Sequence, residues 1–226
     1  MKRVLALLAF CMPLVSHAGE FENTLLVQTG KMSEHDLIVR NITDLGSNRT
    51  CLAFYIKTSG TSPVINCYPT AAGFGASLVQ VGHLKADRIV IRKLDDTKNN
   101  MSCIVAYVGT PGTSPAVDCY ANKQHSKDHM VEAGHLREGD LDMRRIMDAG
   151  NLKACLIAYV DTEGTSPAVK CYDSKVDGKG GLYQASYLKE GDLVVRKILD
   201  MANGYACLVS YVGTKGTSSH LYCYQQ

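Results

Sequence analysis

The sequence predicts an all-β chain of four tandem 52-residue β-β-β-β repeats, and three observations carry that prediction. The segment Cys103-Ile-Val-Ala-Tyr-Val-Gly-Thr-Pro-Gly-Thr-Ser-Pro-Ala-Val-Asp-Cys119-Tyr120 recurs at 51–68, 155–172 and 207–224, with no insertion or deletion between copies. In each copy two cysteines 16 positions apart flank a Thr-x-Gly-Thr-Ser centre, the pattern of a β-hairpin stapled by its own disulfide. Two apolar segments of strand length precede every copy. A unit this small cannot build an independent core, so the repeats must bury their faces against one another. A four-stranded sheet repeated radially favours a four-bladed, propeller-like closed array, with two two-repeat β-sandwich or barrel domains as the alternative.

Residues 1–18 read as an export signal. Lys2 and Arg3 form a basic start, Val4 to Val15 an apolar run, and Ser16-His17-Ala18 a cleavage site before Gly19. Lipidation at Cys11 is the rival reading, disfavoured by bulky Phe10 and by the short apolar run before it. Cleavage after Ala18 leaves 19–226 as a single repeat domain, divided into 19–70, 71–122, 123–174 and 175–226.

The first strands are Leu25-Leu-Val-Gln-Thr-Gly30, Ser77-Leu-Val-Gln-Val-Gly82, His129-Met-Val-Glu-Ala-Gly134 and Gly181-Leu-Tyr-Gln-Ala-Ser186. The third could pass locally for helix, and only its register with the others makes it a strand. After a polar turn come Leu37-Ile-Val-Arg-Asn-Ile42, Ile89-Val-Ile-Arg-Lys-Leu94, Leu141-Asp-Met-Arg-Arg-Ile146 and Leu193-Val-Val-Arg-Lys-Ile198. An Asp then opens a turn rich in Asn and Gly, and the stapled hairpin supplies strands three and four. Pairing Cys51 with Cys67 sets Lys57 opposite Thr61 and leaves Thr58-Ser59-Gly60 as a three-residue loop. Such a loop wants glycine at its last, left-handed position, where Gly60, Gly112, Gly164 and Gly216 stand.

Of nine cysteines, Cys11 falls in the export signal. The other eight pair as Cys51–Cys67, Cys103–Cys119, Cys155–Cys171 and Cys207–Cys223, placing the chain in an oxidising compartment, secreted or periplasmic. Each bridge stabilises by about 3 kcal/mol in the chain-entropy account. Zinc-ligand spacing is absent, and no metal or cofactor is expected. Basic and acidic residues number 24 and 22, and no repeat carries a basic run, which argues against nucleic acid. No later stretch is apolar for the length a membrane helix needs.

Several columns persist across the copies. Arg40, Arg92, Arg144 and Arg196 precede Asp44, Asp96, Asp148 and Asp200 by four residues, about 13 Å along an extended strand, too far to pair within it. The arginines therefore pair with acids of neighbouring repeats, or form a ring of guanidinium groups suited to carboxylate, phosphate or sulfate. The aspartates are suited to capping the turns they open. Asp142 stands where Ile38, Val90 and Val194 occupy the other copies, a polar interruption of that face. Tyrosines recur at 55, 107, 159 and 211, and again at 68, 120, 172 and 224. The hydroxyl pairs Thr61/Ser62, Thr113/Ser114, Thr165/Ser166 and Thr217/Ser218 serve either turn chemistry or a repeated binding edge for a glycan. Absence of Trp counts against sugar stacking, although Tyr can substitute.

Catalysis finds little support. The histidines are scattered, only His83 and His135 share a register, and no nucleophile elbow or phosphate loop occurs. Asn41, Asn48 and Asn100 open glycosylation sequons. The expectation is an exported non-enzymatic recognition protein that presents polar hairpin loops to a glycan or protein ligand, in lectin-like multivalent fashion. The alternatives are a secreted or periplasmic inhibitor or immunity protein blocking a toxin or hydrolase, and a structural surface component. An inhibitor would use a patch where the copies diverge, at Asn122–His129, Asp173–Gly181 or Ser219-His220-Leu221.

Overall fold

The computed structural model describes residues 26–71, 75–123, 130–175 and 181–226. The expected export signal, and most of the divergent patches at Asn122–His129 and Asp173–Gly181, lie outside the described residues. Sixteen strands form four antiparallel sheets, each a meander in chain order. The first sheet holds β1 (Leu26–Glu34), β2 (Leu37–Asp44), β3 (Arg49–Ile56) and β4 (Val64–Pro69). The second holds β5 (Leu78–Ala86), β6 (Ile89–Asp96), β7 (Met101–Val108) and β8 (Ala116–Ala121). In the third are β9 (Met130–Glu138), β10 (Leu141–Asp148), β11 (Lys153–Val160) and β12 (Ala168–Asp173). The fourth comprises β13 (Leu182–Glu190), β14 (Leu193–Asp200), β15 (Tyr205–Val212) and β16 (His220–Gln225). The ambiguous segment of the third repeat is thus strand. No helix among the described residues is long and apolar enough to cross a membrane.

All four predicted disulfides are formed, and the register around them is the expected one, Cys51 lying opposite Cys67. The loop differs. The ladder between β3 and β4 stops at Phe54 and Val64, so the connection is longer than three residues. The cause is the Thr61 hydroxyl, which donates to the carbonyls of Ile56 at 3.0 Å and Thr58 at 3.2 Å and folds the tip on itself. Gly60, Gly112, Gly164 and Gly216 keep the left-handed place, with φ of 75° to 80°. They also allow close stacking, since a Cβ on Gly60 would stand 3.4 Å from the Gly112 backbone.

The sheets stack face to face in chain order around three cores. Leu37, Val39, Leu52 and Phe54 meet Leu94, Val105 and Tyr107 between the first and second sheets. Ile89, Ile91 and Ile104 meet Ile146 and Ile157 between the second and third, so the chain is not divided there into two-repeat domains. Leu141, Met143 and Leu156 meet Val194, Ile198 and Val209 between the third and fourth. Because the middle sheets bury both faces, β6, β7, β10 and β11 read as continuous buried strands rather than alternating ones. None of the three cores joins the fourth sheet to the first. The contact that would close a ring is not among them.

Polar ties repeat at each interface. Tyr68, Tyr120 and Tyr172 donate to Asp96, Asp148 and Asp200 of the next repeat at 2.7, 2.7 and 2.6 Å. Burial and the partner carboxylate push all three phenols well above their ordinary range. Asn99, Asn151 and Asn203 accept from the backbone of Ala71, Lys123 and Lys175, which follow the last strand of the preceding sheet. Lys93 pairs with Asp148 at 2.7 Å and Arg145 with Asp200 at 2.6 Å, all four side chains being almost fully buried. The cations at 93 and 145 were the main structural residues that sequence reading passed over. Their signal was a charge on the core-facing side of an otherwise apolar strand.

Candidate functional site

The sequence-predicted site residues are placed as follows. Arg40, Arg92 and Arg196 each donate to a glutamine of the adjoining strand (Gln28, Gln80, Gln184) and to a tyrosine of the same sheet (Tyr55, Tyr107, Tyr211). Arg196 also lies 3.6 Å from Asp140 of the preceding repeat, and Arg144 bonds Asp87 of the preceding repeat. The arginines thus sit inside sheet interfaces or on the free face of the first sheet, one per sheet. Thr113, Thr165 and Thr217 donate to backbone carbonyls of their own turns, as Thr61 does. The serines link tips: Ser62 N–H donates to the Ser114 hydroxyl at 2.9 Å, and Ser114 N–H to that of Ser166 at 2.8 Å. Ser166 and Ser218 form a parallel bridge. Asp44 accepts from the backbone of Gly46 and Ser47 and from the Ser47 hydroxyl, capping its turn and holding its carboxyl below the ordinary range. Asn41 is buried in the first interface, whereas Asn48 and Asn100 are exposed.

What the geometry gathers instead is a cleft of about 710 Å³ between the second and third sheets, at the end carrying the tips and the β5–β6 turn. Its walls include Asp36, Lys85, Asp87, Arg88, Tyr159 and Glu163, over a floor containing Val90 and Val108. A small pocket of about 60 Å³ continues it towards Arg137, Asp142 and Asp161. This is where the repeat pattern breaks. Arg88 occupies the turn position held elsewhere by Asp36, Asp140 and Asp192; Asp142 replaces an apolar residue; Asp161 stands where Lys57, Gly109 and Gly213 do.

The exchange rewires the interface. Across the first interface Tyr107 donates to Asp36 at 2.8 Å, and across the third Tyr211 donates to Asp140 at 2.7 Å. Burial, reinforced by those carboxylates against the nearby arginines, pushes both phenols up to about 12. Tyr159 would need an acceptor at position 88 and meets an arginine. Its hydroxyl has no hydrogen-bond partner among the described residues; the residue as a whole is 5% exposed and lines both the cleft and the pocket. Arg88 turns to Asp161 at 3.3 Å, which Arg137 also holds at 3.1 Å. Arg144 takes Glu132, Asp142 and Asp87. Burial alone would lower the pKa of that guanidinium, but the Asp142 and Glu132 charges outweigh it and raise the value. His135 adds a 3.3 Å contact to Asp142.

The cleft is therefore rich in charged donors and acceptors that largely neutralise one another, with the Tyr159 and Thr162 hydroxyls left without a partner among the described residues. Such a lining suits a polar, hydrogen-bonding ligand over part of an apolar floor. No group of acidic, histidine or cysteine side chains able to hold a metal occurs among the described residues. Asp142 carried a sequence signal; Arg88 carried one too, but only as a departure from its column. Comparison with known proteins finds no family model, no curated protein and no solved structure that matches the chain.

Proposed function

We propose that the protein is an exported, non-enzymatic recognition protein that takes one polar ligand, a glycan or a segment of another protein, in the cleft between its second and third sheets. The observation that carries this reading is the Tyr159 hydroxyl, which opens onto the cleft without a partner among the described residues where its counterparts Tyr107 and Tyr211 have one. The four disulfides are consistent with an oxidising compartment. A non-enzymatic role is supported by the engagement of the cleft carboxylates: Asp161 with two arginines, Asp87 with Arg144 and Glu163 with Lys215. Carboxylates already held by cations of the protein are not free to act on a bound ligand. We read the array as an open stack, supported by its three consecutive cores, rather than as the closed four-bladed ring the repeat plan suggests.

Because Arg88, Asp142 and Asp161 break the repeat pattern at one interface, the cleft also favours the inhibitor reading over a multivalent lectin. A glycan array and a pull-down from the host's exported proteins, each followed by titration calorimetry, separate these. The expected result is one ligand per chain, bound about five-fold more weakly by Tyr159→Phe, the worth of one hydrogen bond. Binding indifferent to that change, or four equivalent sites per chain, would sink the proposal.

A further inference from the structure

The two end sheets are unfinished halves of the interface that the chain makes three times internally. On the outward face of the fourth sheet, Leu193 is 45% exposed, whereas its counterparts Leu37, Ile89 and Leu141 are at most 2%. Leu208 is 38% exposed and its counterparts Leu52, Ile104 and Leu156 are at 0%. Tyr224 is 37% exposed, against 3 to 7% for Tyr68, Tyr120 and Tyr172. Repeat proteins ordinarily end in a unit whose outer face is polar. This chain keeps the interior residues instead, with Tyr222 beside Tyr224 enlarging the apolar surface.

The polar ties are likewise half made. Lys197 stands in the column of Lys93 and Arg145, each of which meets the aspartate that opens the next repeat's turn. Lys197 and the Tyr224 hydroxyl have no polar partner among the described residues. The missing aspartate has a counterpart at the other end of the stack, where Asp44 binds only its own turn. At the same end lies Tyr55, the counterpart of Tyr107 and Tyr211, which take Asp36 and Asp140. The acid next in that column is Asp192, on the fourth sheet's β13–β14 turn. Ile65 is 59% exposed on the free face of the first sheet, paired in register with Ala53.

We propose that the fourth sheet docks on the first sheet of a second copy of this chain, continuing the internal stack head to tail. Lys197 and Tyr224 of one copy meet Asp44 of the next, Asp192 meets Tyr55 and Arg40, and Leu193 and Leu208 cover Ile42 and Ile65. The occupant follows from continuity: the same columns, in the same order, already join sheet to sheet three times. Such a contact is heterologous, so it propagates to a ring or a filament according to the rotation per copy.

Two blocking substitutions test this, both at exposed positions where a charge leaves the fold of a single copy intact, as checked by circular dichroism. Leu208→Glu spoils the tail and Ile65→Glu spoils the head. Sedimentation velocity should show concentration-dependent association of the unaltered protein, and about ten-fold or more weaker self-association for each variant. A one-to-one mixture of the two variants should recover a heterodimer and stop there, since each supplies the face the other lacks. In that heterodimer Cys51 and Cys67 of the Leu208→Glu copy, half-buried and exposed on its first face, become protected from reduction and alkylation, while those of the Ile65→Glu copy do not. The proposal is overturned if the unaltered protein stays monomeric, if Ile65→Glu alone still dimerises tail to tail, or if the mixture stays monomeric.

Discussion

Asp148 illustrates how single residues hold the stack together. It is 1% exposed and receives the Tyr120 hydroxyl at 2.7 Å, the Asn151 amide at 2.8 Å and Lys93 at 2.7 Å. Burial pushes its carboxyl up, but the bonds from Asn151, Lys93 and Tyr120 more than offset that and hold it below the ordinary range. A depressed carboxyl contributes stability that is present above the unfolded value of about 4 and is lost as pH falls through the folded value. Asp148→Ala leaves Lys93 charged and unpaired in the interior, so we expect a loss of about 3–5 kcal/mol at neutral pH in urea unfolding. The variant's stability should also change less than that of the unaltered protein as pH falls below the unfolded value of about 4. Unchanged stability at neutral pH would show the pair to be inert. At this scale the sequence was partly legible. Arg and Asp four apart on one strand cannot reach each other, which directed the arginines to acids of neighbouring repeats. Arg144 and Arg196 reach one, whereas Arg40 and Arg92 bond glutamine and tyrosine of their own sheets. The cleft was less legible because its signal lay in departures such as Arg88 and Asp142, not in what the copies share.

At the level of elements, the disulfide hairpin and its register could be read directly, because two cysteines 16 apart admit one antiparallel pairing. The tip was misjudged because a Thr61 hydroxyl bonding back to Ile56 competes with ladder pairing, and residue counting alone does not weigh it. The β2–β3 turns offer a sharper test. Asn48, Asn100 and Leu152 all adopt φ of 52°, and Gly204 adopts 71°. Asn and Gly tolerate that left-handed place, whereas a leucine there costs roughly 1–2 kcal/mol. Leu152 is 57% exposed, so replacing it forfeits little burial. Leu152→Asn should therefore stabilise by about 1 kcal/mol, seen as a rise of roughly 2–4 °C in Tm. An equal or lower Tm would mean that Leu152 packs more usefully than its exposure suggests.

On the scale of the whole molecule, the count and order of sheets followed from the 52-residue period, but their mutual arrangement did not. A period specifies that neighbours share an interface; it carries no angle between them, and ring and open stack both satisfy it. The angle is set by packing such as the close approach of Gly60 to Gly112, which no single repeat reveals. One consequence of the open order is mechanical. The first sheet lies at one end of the stack and the last at the other, so tension on the two termini is carried across every interface in series. Each bridge keeps a stretch of 16 residue steps shut, so a yielding repeat can pay out only its remaining residues. Single-molecule stretching should show a staircase with increments of roughly 120 Å of chain, lengthening to roughly 180 Å after reduction. A single all-at-once rupture would mean that the four sheets yield as one body. Built this way, the chain resembles a concertina with a stop sewn into every fold: it lengthens under load by fixed amounts and keeps the means to shut again.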